Sequence, residues 1–273
     1  ITIKDENGEI LDDVQWTNKD VIVEFTIPEY CSFTELKFND ELITDSAYVV
    51  SLGDNRYKIS TYGRLKYTVV DNETETITSG EKIIRIDKTP PSITNIIYST
   101  TNWTNEDVTV VITAVDEVNE VIYVNGNTYI FTENGEHEFI IEDSLGNRTS
   151  KKVQVANIDK EVPIPTITYS TTELTNQDVT AIITFNEGGS PVRVTNNNGR
   201  NTYVFTSNGE FTFEFSDEAG NTGSATAVVS NIDKTPPEIT LISDQFDLKP
   251  HKSISVTITA DDLNAIKEIK YRF

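Results

Sequence analysis

Hydrophobic and polar positions alternate strictly four times along the 273-residue chain. Val21, Val23, Phe25 and Ile27 fall in one phase, with Ile22, Glu24 and Thr26 in the other. The pattern returns as Val108, Val110, Ile112 and Ala114, as Val179, Ala181, Ile183 and Phe185, and as Ile254, Val256, Ile258 and Ala260. Side chains two apart lie on one side of an extended backbone, so each run predicts a strand with one buried face. Leu65, Tyr67 and Val69, then Phe139 and Ile141, then Phe211, Phe213 and Phe215 predict later strands in the same way. No long stretch carries an apolar stripe at helical spacing, and the fold class predicted is all-β. Asn-Gly pairs at Asn125-Gly126, Asn134-Gly135, Asn198-Gly199 and Asn208-Gly209 predict tight hairpin turns, since both residue types accept positive φ.

Three linker sequences punctuate these strands: Ile86-Asp87-Lys88-Thr89-Pro90-Pro91, Ile158-Asp159-Lys160-Glu161-Val162-Pro163 and Ile232-Asp233-Lys234-Thr235-Pro236-Pro237. Their aspartates stand 72 and 74 residues apart, the signature of an array of similar small units. Upstream of each lies Asp71, Asp143 or Asp217, always at 16 residues, as expected of a last strand held in fixed register. A second motif opens each unit: Trp16-Thr17-Asn18-Lys19-Asp20-Val21, Trp103-Thr104-Asn105-Glu106-Asp107-Val108 and Leu174-Thr175-Asn176-Gln177-Asp178-Val179. About seven short strands per unit, each with one apolar face, bury that face by closing into a two-sheet sandwich. The divisions predicted are 1–86, 87–158, 159–232 and an incomplete 233–273, that is, tandem β-sandwiches arranged end to end. Proline fixes φ and restricts the residue before it, so the linkers read as semi-rigid couplings, and strand length sets a rod of roughly 110 Å for three units.

The run Asn231 to Pro237, its following Ile-Thr strand, and the Asp-x-x-Gly-Asn turn at Asp217 to Asn221 resemble the bacterial immunoglobulin-like repeats of large surface proteins. That resemblance covers nearly the whole chain and implies that the sandwiches are tandem immunoglobulin-like domains in a cell-surface setting: surface-layer proteins, adhesins, or accessory regions of secreted glycan-degrading enzymes. It implies a structural, non-catalytic segment of an extracellular bacterial surface protein, with neighbouring domains of the same polypeptide as first partners. Self-association, or contact with a cell-wall or host glycan or protein, is the further partner class.

The first unit is longer than its siblings between its second strand and Leu65, and the extra residues, about 39–60, predict an added hairpin at a sheet edge. At the other end, strands near Ile239 to Ile242, Ile254 to Ala260 and Ile266 to Phe273 begin a fourth unit that lacks its opposing sheet. With no Met and a strand-like start at Ile1-Thr2-Ile3-Lys4, the sequence reads as a piece cut from a longer protein. Cys31 is the one cysteine, which excludes a disulfide within a unit. No hydrophobic run is long enough to span a bilayer, so membrane insertion is not expected.

Forty-four acidic residues against 22 basic ones leave a net charge of −22, which repels phosphate backbones and argues against nucleic acid. Acidic surfaces suit calcium, which takes six to eight oxygens from carboxylates and carbonyls. The fold requires no cofactor, and calcium is the candidate weighed. Its ligands are sought at Asp116, Glu117, Asp143, Asn157, Asp159, Asp217, Asn231 and Asp233. Against it stand Lys88, Lys160 and Lys234, which directly follow the linker aspartates, and the change of Asp116-Glu117 to Asn186-Glu187 in the third unit. An Asp opening a turn also has the ordinary task of accepting that turn's own amides.

Trp16 and Trp103 share a position with Leu174, and Leu248 lies near it in the fourth unit, which favours an apolar plug over a flat sugar platform. His137 shares register with Phe211 and Leu65 and is expected on the core side, His251 belongs to the incomplete unit, and Cys31 reads as a strand exit. Asp12-Asp13 and Asp261-Asp262 are adjacent and point to opposite faces, unlike the facing pair of a glycosidase. No enzyme is expected, nor Lys-Asn isopeptide bonds.

Overall fold

The structure, a computed structural model, describes residues 1–186, 188–243, 255–262, 264 and 266–270. Glu187, Leu248, His251, Ile254 and Phe273 lie outside the described residues. The chain falls into two compact units, Ile1–Asn102 with Glu106–Ile158, and Trp103–Asn105 with Asp159–Phe273.

In the first unit, strands β1 (Thr2–Asp5), β2 (Val21–Glu24), β3 (Cys31–Phe38), β4 (Glu41–Leu42), β5 (Val49–Gly53), β6 (Arg56–Ile59), β7 (Gly63–Asp71) and β8 (Ile77–Ile84) form the first repeat. They make two four-stranded antiparallel sheets, in the orders β1-β2-β6-β5 and β4-β3-β7-β8. The same unit holds β9 (Ser92–Tyr98), β10 (Val108–Val115), β11 (Val121–Tyr123), β12 (Thr128–Phe131), β13 (Gly135–Asp143) and β14 (Arg148–Val155), in three-stranded sheets β12-β10-β9 and β11-β13-β14. In the second unit, β15 (Ile164–Tyr169), β16 (Val179–Asn186), β17 (Val192–Val194), β18 (Thr202–Phe205), β19 (Gly209–Asp217) and β20 (Thr222–Val229) repeat that plan as β15-β16-β18 and β17-β19-β20. A two-stranded sheet, β21 (Glu238–Ser243) with β22 (Val256–Asp261), follows. Residues 266–270, expected as a third strand there, carry none.

The alternation places the core as read. Val21 and Val23, Val108, Val110 and Ile112, and Val179, Ala181 and Ile183 are all buried, in three separate cores. Phe25 and Ile27 lie beyond the end of β2, yet Phe25 still packs edge-on against Phe33, Tyr57 and Tyr67. Burying aromatic and β-branched side chains of this size stabilises by about 1.5–3 kcal/mol each.

The added hairpin proves to be two additions. β6 pairs with β2 just as β12 pairs with β10 and β18 with β16, so β6 belongs to the common plan. What the longer stretch supplies is one extra edge strand per sheet, β5 on one and β4 on the other. Its tight turns are Asn39-Asp40 and Asp54-Asn55, with positive φ at both positions.

The Asn-Gly expectation needs correction. Asn134-Gly135 and Asn208-Gly209 lie where the chain crosses from one sheet to the other, after β12 and β18, and their glycines lack positive φ. Each Asn instead uses its amide as a strand-like partner: Asn134 Nδ2 donates to Ile158 O at 2.8 Å and its Oδ1 accepts from Ile158 N at 2.8 Å. Asn208 does the same with Ile232, at 2.9 and 2.8 Å. Asn125-Gly126 and Asn198-Gly199 likewise join strands of different sheets, β11 to β12 and β17 to β18, and among the four pairs positive φ at both positions occurs only at Asn198-Gly199.

Candidate functional site

The linker aspartates are each bonded through both backbone and side chain. Asp87 N donates to Thr17 O at 2.9 Å, and Asp233 N to Thr175 O at 2.9 Å, after Thr17 and Thr175 form parallel bridges with Ile86 and Ile232. In the second unit Asp159 N donates likewise to Thr104 O at 2.9 Å. The backbone of each linker is thus zipped onto a Thr-Asn-x-Asp motif. Its side chain turns to the strands that follow. Asp87 Oδ1 accepts from Thr89 N at 2.9 Å and Oδ2 from Asn119 Nδ2, while its carbonyl accepts from Asn147 Nδ2 at 3.0 Å.

A second set of bonds gives the two motifs a common purpose. Asn18 Nδ2, from the opening motif of the first repeat, donates to Leu145 O at 2.6 Å, inside the turn that begins at Asp143. In the second unit Asn105 N donates to Ala219 O at 3.1 Å and Asn105 Nδ2 to Asn221 Oδ1 at 3.3 Å, inside the turn that begins at Asp217. Asn221 Nδ2 then reaches Asp159 O at 2.9 Å, as Asn147 reaches Asp87 O. The Thr-Asn motif therefore receives an Asp-x-x-Gly-Asn turn in both units. Gly146 and Gly220 hold φ of +86° and +100° there, a backbone that side chains with a Cβ rarely adopt.

Asp143 and Asp217 do the turn's own work, as an Asp at a turn start commonly does. Asp143 Oδ1 accepts from Leu145 N and Asn147 N at 2.9 and 2.8 Å, and Asp217 Oδ1 from Gly220 N and Asn221 N, both at 2.7 Å. In the first repeat Asp71 serves a different turn, with positive φ at Glu75, and backbone amides of Thr74 and Glu73 hold its carboxyl below the ordinary range.

The structure brings together Asp116 and Asp143 from the candidate calcium set and adds Asp87, which the set left out. Carboxylate oxygens of the three lie within 4.8 Å of one another. Asp143 is 1% exposed and Asp87 5%, so like charges meet with little solvent between them. Amides offset part of that cost: Asp116 Oδ1 accepts from Val118 N and Asn119 N, at 2.9 and 2.8 Å. An all-oxygen set without His or Cys suits calcium better than a softer ion. Glu117 is exposed and lines the adjacent cleft.

In the second unit Asn186 stands where Asp116 does. Asp159 Oδ2 there accepts from Ser190 N at 2.7 Å, with Asp217 and Asn221 close by. Burial raises the Asp159 carboxyl, and the Ser190 amide and hydroxyl with the Glu161 amide outweigh it, leaving the group below its ordinary value. A Cβ on Gly189 would sit 2.3 Å from Asp159 Oδ2, so only glycine admits that contact.

Other expectations separate from this group. Asn157 Nδ2 donates to Asn102 O at 2.6 Å and Asn231 Nδ2 to Glu173 O at 2.7 Å, both serving their own repeats. Lys88 turns from the linker carboxylate to pair with Asp20, and Lys234 reaches Asp178 at 2.6 Å, so neither ammonium opposes a cation beside the linker Asp. Burial raises Asp20, but Lys88 and Lys58 more than offset it and keep it low. Glu6 and Asp20 in turn push Lys58 up to about 12.

Trp16 stacks on Tyr62 at 5.5 Å, whereas Leu174 is 66% exposed and plugs nothing. His137 stacks on Tyr129 at 3.8 Å, as Phe211 stacks on Tyr203 at 3.8 Å. Cys31 opens β3 rather than closing a strand, and burial followed by the charges of Asp71 and Glu73 pushes its thiol up. A protonated thiol is a poor nucleophile.

These paired antiparallel sheets over separate cores define a chain of tandem immunoglobulin-like sandwiches. The chain belongs to the bacterial Ig-like domain family, whose model matches residues 90–234, more than half its length. No curated protein sequence matches it. Among solved structures it is similar to the N-terminal eight Ig domains of Down syndrome cell adhesion molecule, at 9% identity and a TM-score of 0.40, over 78% of this chain and 35% of that one. The protocadherin gamma B4 extracellular domain is similar at 13% identity and a TM-score of 0.36, over 97% of this chain and 52% of that one. Domains 4–9 of surface layer protein SbsC are similar at 14% identity and a TM-score of 0.18, over 89% and 43%. The chain thus spans about a third of the first relative and half of the second.

Proposed function

We propose that this chain is a non-catalytic structural segment of a bacterial extracellular surface protein, a stalk or lattice element of the surface-layer or adhesin type. Its domains are 1–86, 87–158, 159–232 and the incomplete 233–273. The observation that carries this is the investment of side chains in linkage: Asp87 bonds Thr17 behind it and Asn119 and Asn147 ahead of it. A flexible tether gains nothing from such bonds, whereas a load-bearing or spacing element needs them. His137 stacks on Tyr129 and meets Phe139 edge-on, and Cys31 is held as a thiol, which leaves neither placed for acid-base or nucleophilic work. Antibody raised against the chain should label intact cells of the source bacterium and lose its target on brief protease treatment. Labelling only after lysis would contradict a surface role. The alternative, an accessory region of a secreted glycan-degrading enzyme, predicts retention of the chain on insoluble polysaccharide, which a stalk lacks.

A second reading rests on the three carboxylates. Asp87, Asp116 and Asp143 would hold calcium, which would neutralise their repulsion and fasten the linker to the strands that follow. Titration calorimetry of chelator-treated chain with calcium should give saturable heat and a higher Tm, both lost in Asp116→Asn. Absence of heat in the unaltered chain would remove calcium from the account.

A further inference from the structure

We infer that strands β12 and β18 are edges at which a second copy of this chain pairs, strand against strand, extending the sheet. The first repeat supplies the template. Its β6 takes the place of β12 and β18, with Lys58 opposite Ile22 as Ile130 is opposite Thr109 and Val204 opposite Thr180. There β5 covers it: Val50 pairs with Lys58, and Ser60 N donates to Tyr48 O at 3.0 Å. In the second and third repeats the same side is open, and β12 and β18 end their sheets.

The open side presents unpaired main-chain groups. Ile112 N donates to Asn127 O at 2.9 Å, so in this register Tyr129 and Phe131 also bond towards β10, and the N–H and C=O of Thr128 and Ile130 point away from it. Ile183 N donates to Asn201 O at 2.9 Å, which places Thr202 and Val204 likewise on β18. Edges that stay unpaired are commonly guarded by charge. Here the charge sits on the covered strand instead. β6 carries Arg56 and Lys58, and the matching positions of the open strands are Thr128 and Ile130, then Thr202 and Val204. Ile130 is 56% exposed and Val204 52%.

These positions set the chemistry of the occupant. It is extended, antiparallel as β5 is, uncharged, and itself short of main-chain partners. β12 and β18 meet each of those terms. Residues 121–132 and 201–209 carry no charge in a chain of net −22, so two copies repel least there. Turned about a twofold axis through Tyr129, β12 sets Thr128 opposite Ile130 of the second copy on either side and exchanges main-chain bonds at both, with the two Tyr129 rings adjacent. Thr202-Tyr203-Val204 repeats Thr128-Tyr129-Ile130, so β18 pairs in the same way. Edges this short make a weak, reversible contact.

Sedimentation of the full chain at up to about 1 mM should show reversible association, strengthened by salt that screens the net charge. Ile130→Lys with Val204→Lys restores the guard that Lys58 represents and should weaken association about tenfold or more. Ile130→Thr with Val204→Thr keeps the main-chain pairing and should hold association within about threefold. Both positions are exposed, and unmoved resonances of Val110 and Phe213 will show that the variants fold. Hydrogen exchange at the amides of Thr128, Ile130, Thr202 and Val204 should slow as concentration rises. A monomer throughout, association that salt dissolves, undiminished association of the lysine variant, its loss in the threonine variant, or unchanged exchange at those amides would each overturn the inference.

Discussion

Asp87 and Asp159 occupy one position in two repeats and face different neighbours. The first meets two more carboxylates, and the second meets the Ser190 amide in a gap that only Gly189 leaves open. Regular recurrence made the linker Asp legible in sequence. Its partners were not, because a run of residues does not say which way a side chain leaves the backbone at a proline-stiffened bend. Asn157 and Asn231, two residues away, looked like equal candidates and point to their own repeats. Since the folded Asp159 carboxyl lies below its ordinary 3.8, its contribution to stability is fully present above that value and is lost as pH falls through the folded one. A carboxyl-detected NMR titration should find Asp159 deprotonating below 3.8, and Asp159→Ala should cost about 1–3 kcal/mol at neutral pH through the orphaned amides. A midpoint above 3.8 would mean that burial outweighs the hydrogen bonds.

Period-two patterning located the strands at the element scale because a one-residue slip would turn every apolar side chain to water. Sheet membership was less legible. Asn-Gly was read as a hairpin wherever it occurred, but a local turn preference competes with long-range bonding, and at Asn134 and Asn208 the bond to the last strand's exit wins. The signal was available in the spacing: each of those Asn residues stands 24 before the Ile it clamps. In the first repeat Tyr62 takes that position and stacks on Trp16 instead, so an aromatic contact replaces the amide clamp. Asn208→Ala is expected to cost about 1 kcal/mol and to speed hydrogen exchange at the Ile232 amide, which loses its acceptor. Unchanged exchange at Ile232 would show that the clamp does not hold the strand exit. The extra edge strands β4 and β5 follow the same lesson, since the longer stretch was visible by length while its division between two sheets depended on pairing.

For the whole molecule, a charge of −22 opposes non-specific approach of copies and of anionic partners, so attachment to anything, another copy included, needs specific sites. Membership of the bacterial Ig-like family fixes the architecture, and the paired motifs explain how such modules can be coupled rather than strung. Thr-Asn-x-Asp and Asp-x-x-Gly-Asn were each visible as repeats. Their mutual contact, at Asn18 with Leu145 and at Asn105 with Asn221, spans more than a hundred residues and left no local trace. The central claim is that the bonds of Asp87 and Asn18 make the repeats on either side of the first linker one mechanical body. Residual dipolar couplings measured on the full chain test this directly, because they report orientation without depending on contacts. Residues 1–86 and 87–158 should fit a single alignment tensor, and Asp87→Ala with Asn18→Ala should split it in two. Separate tensors for the two stretches in the unaltered chain would contradict the account.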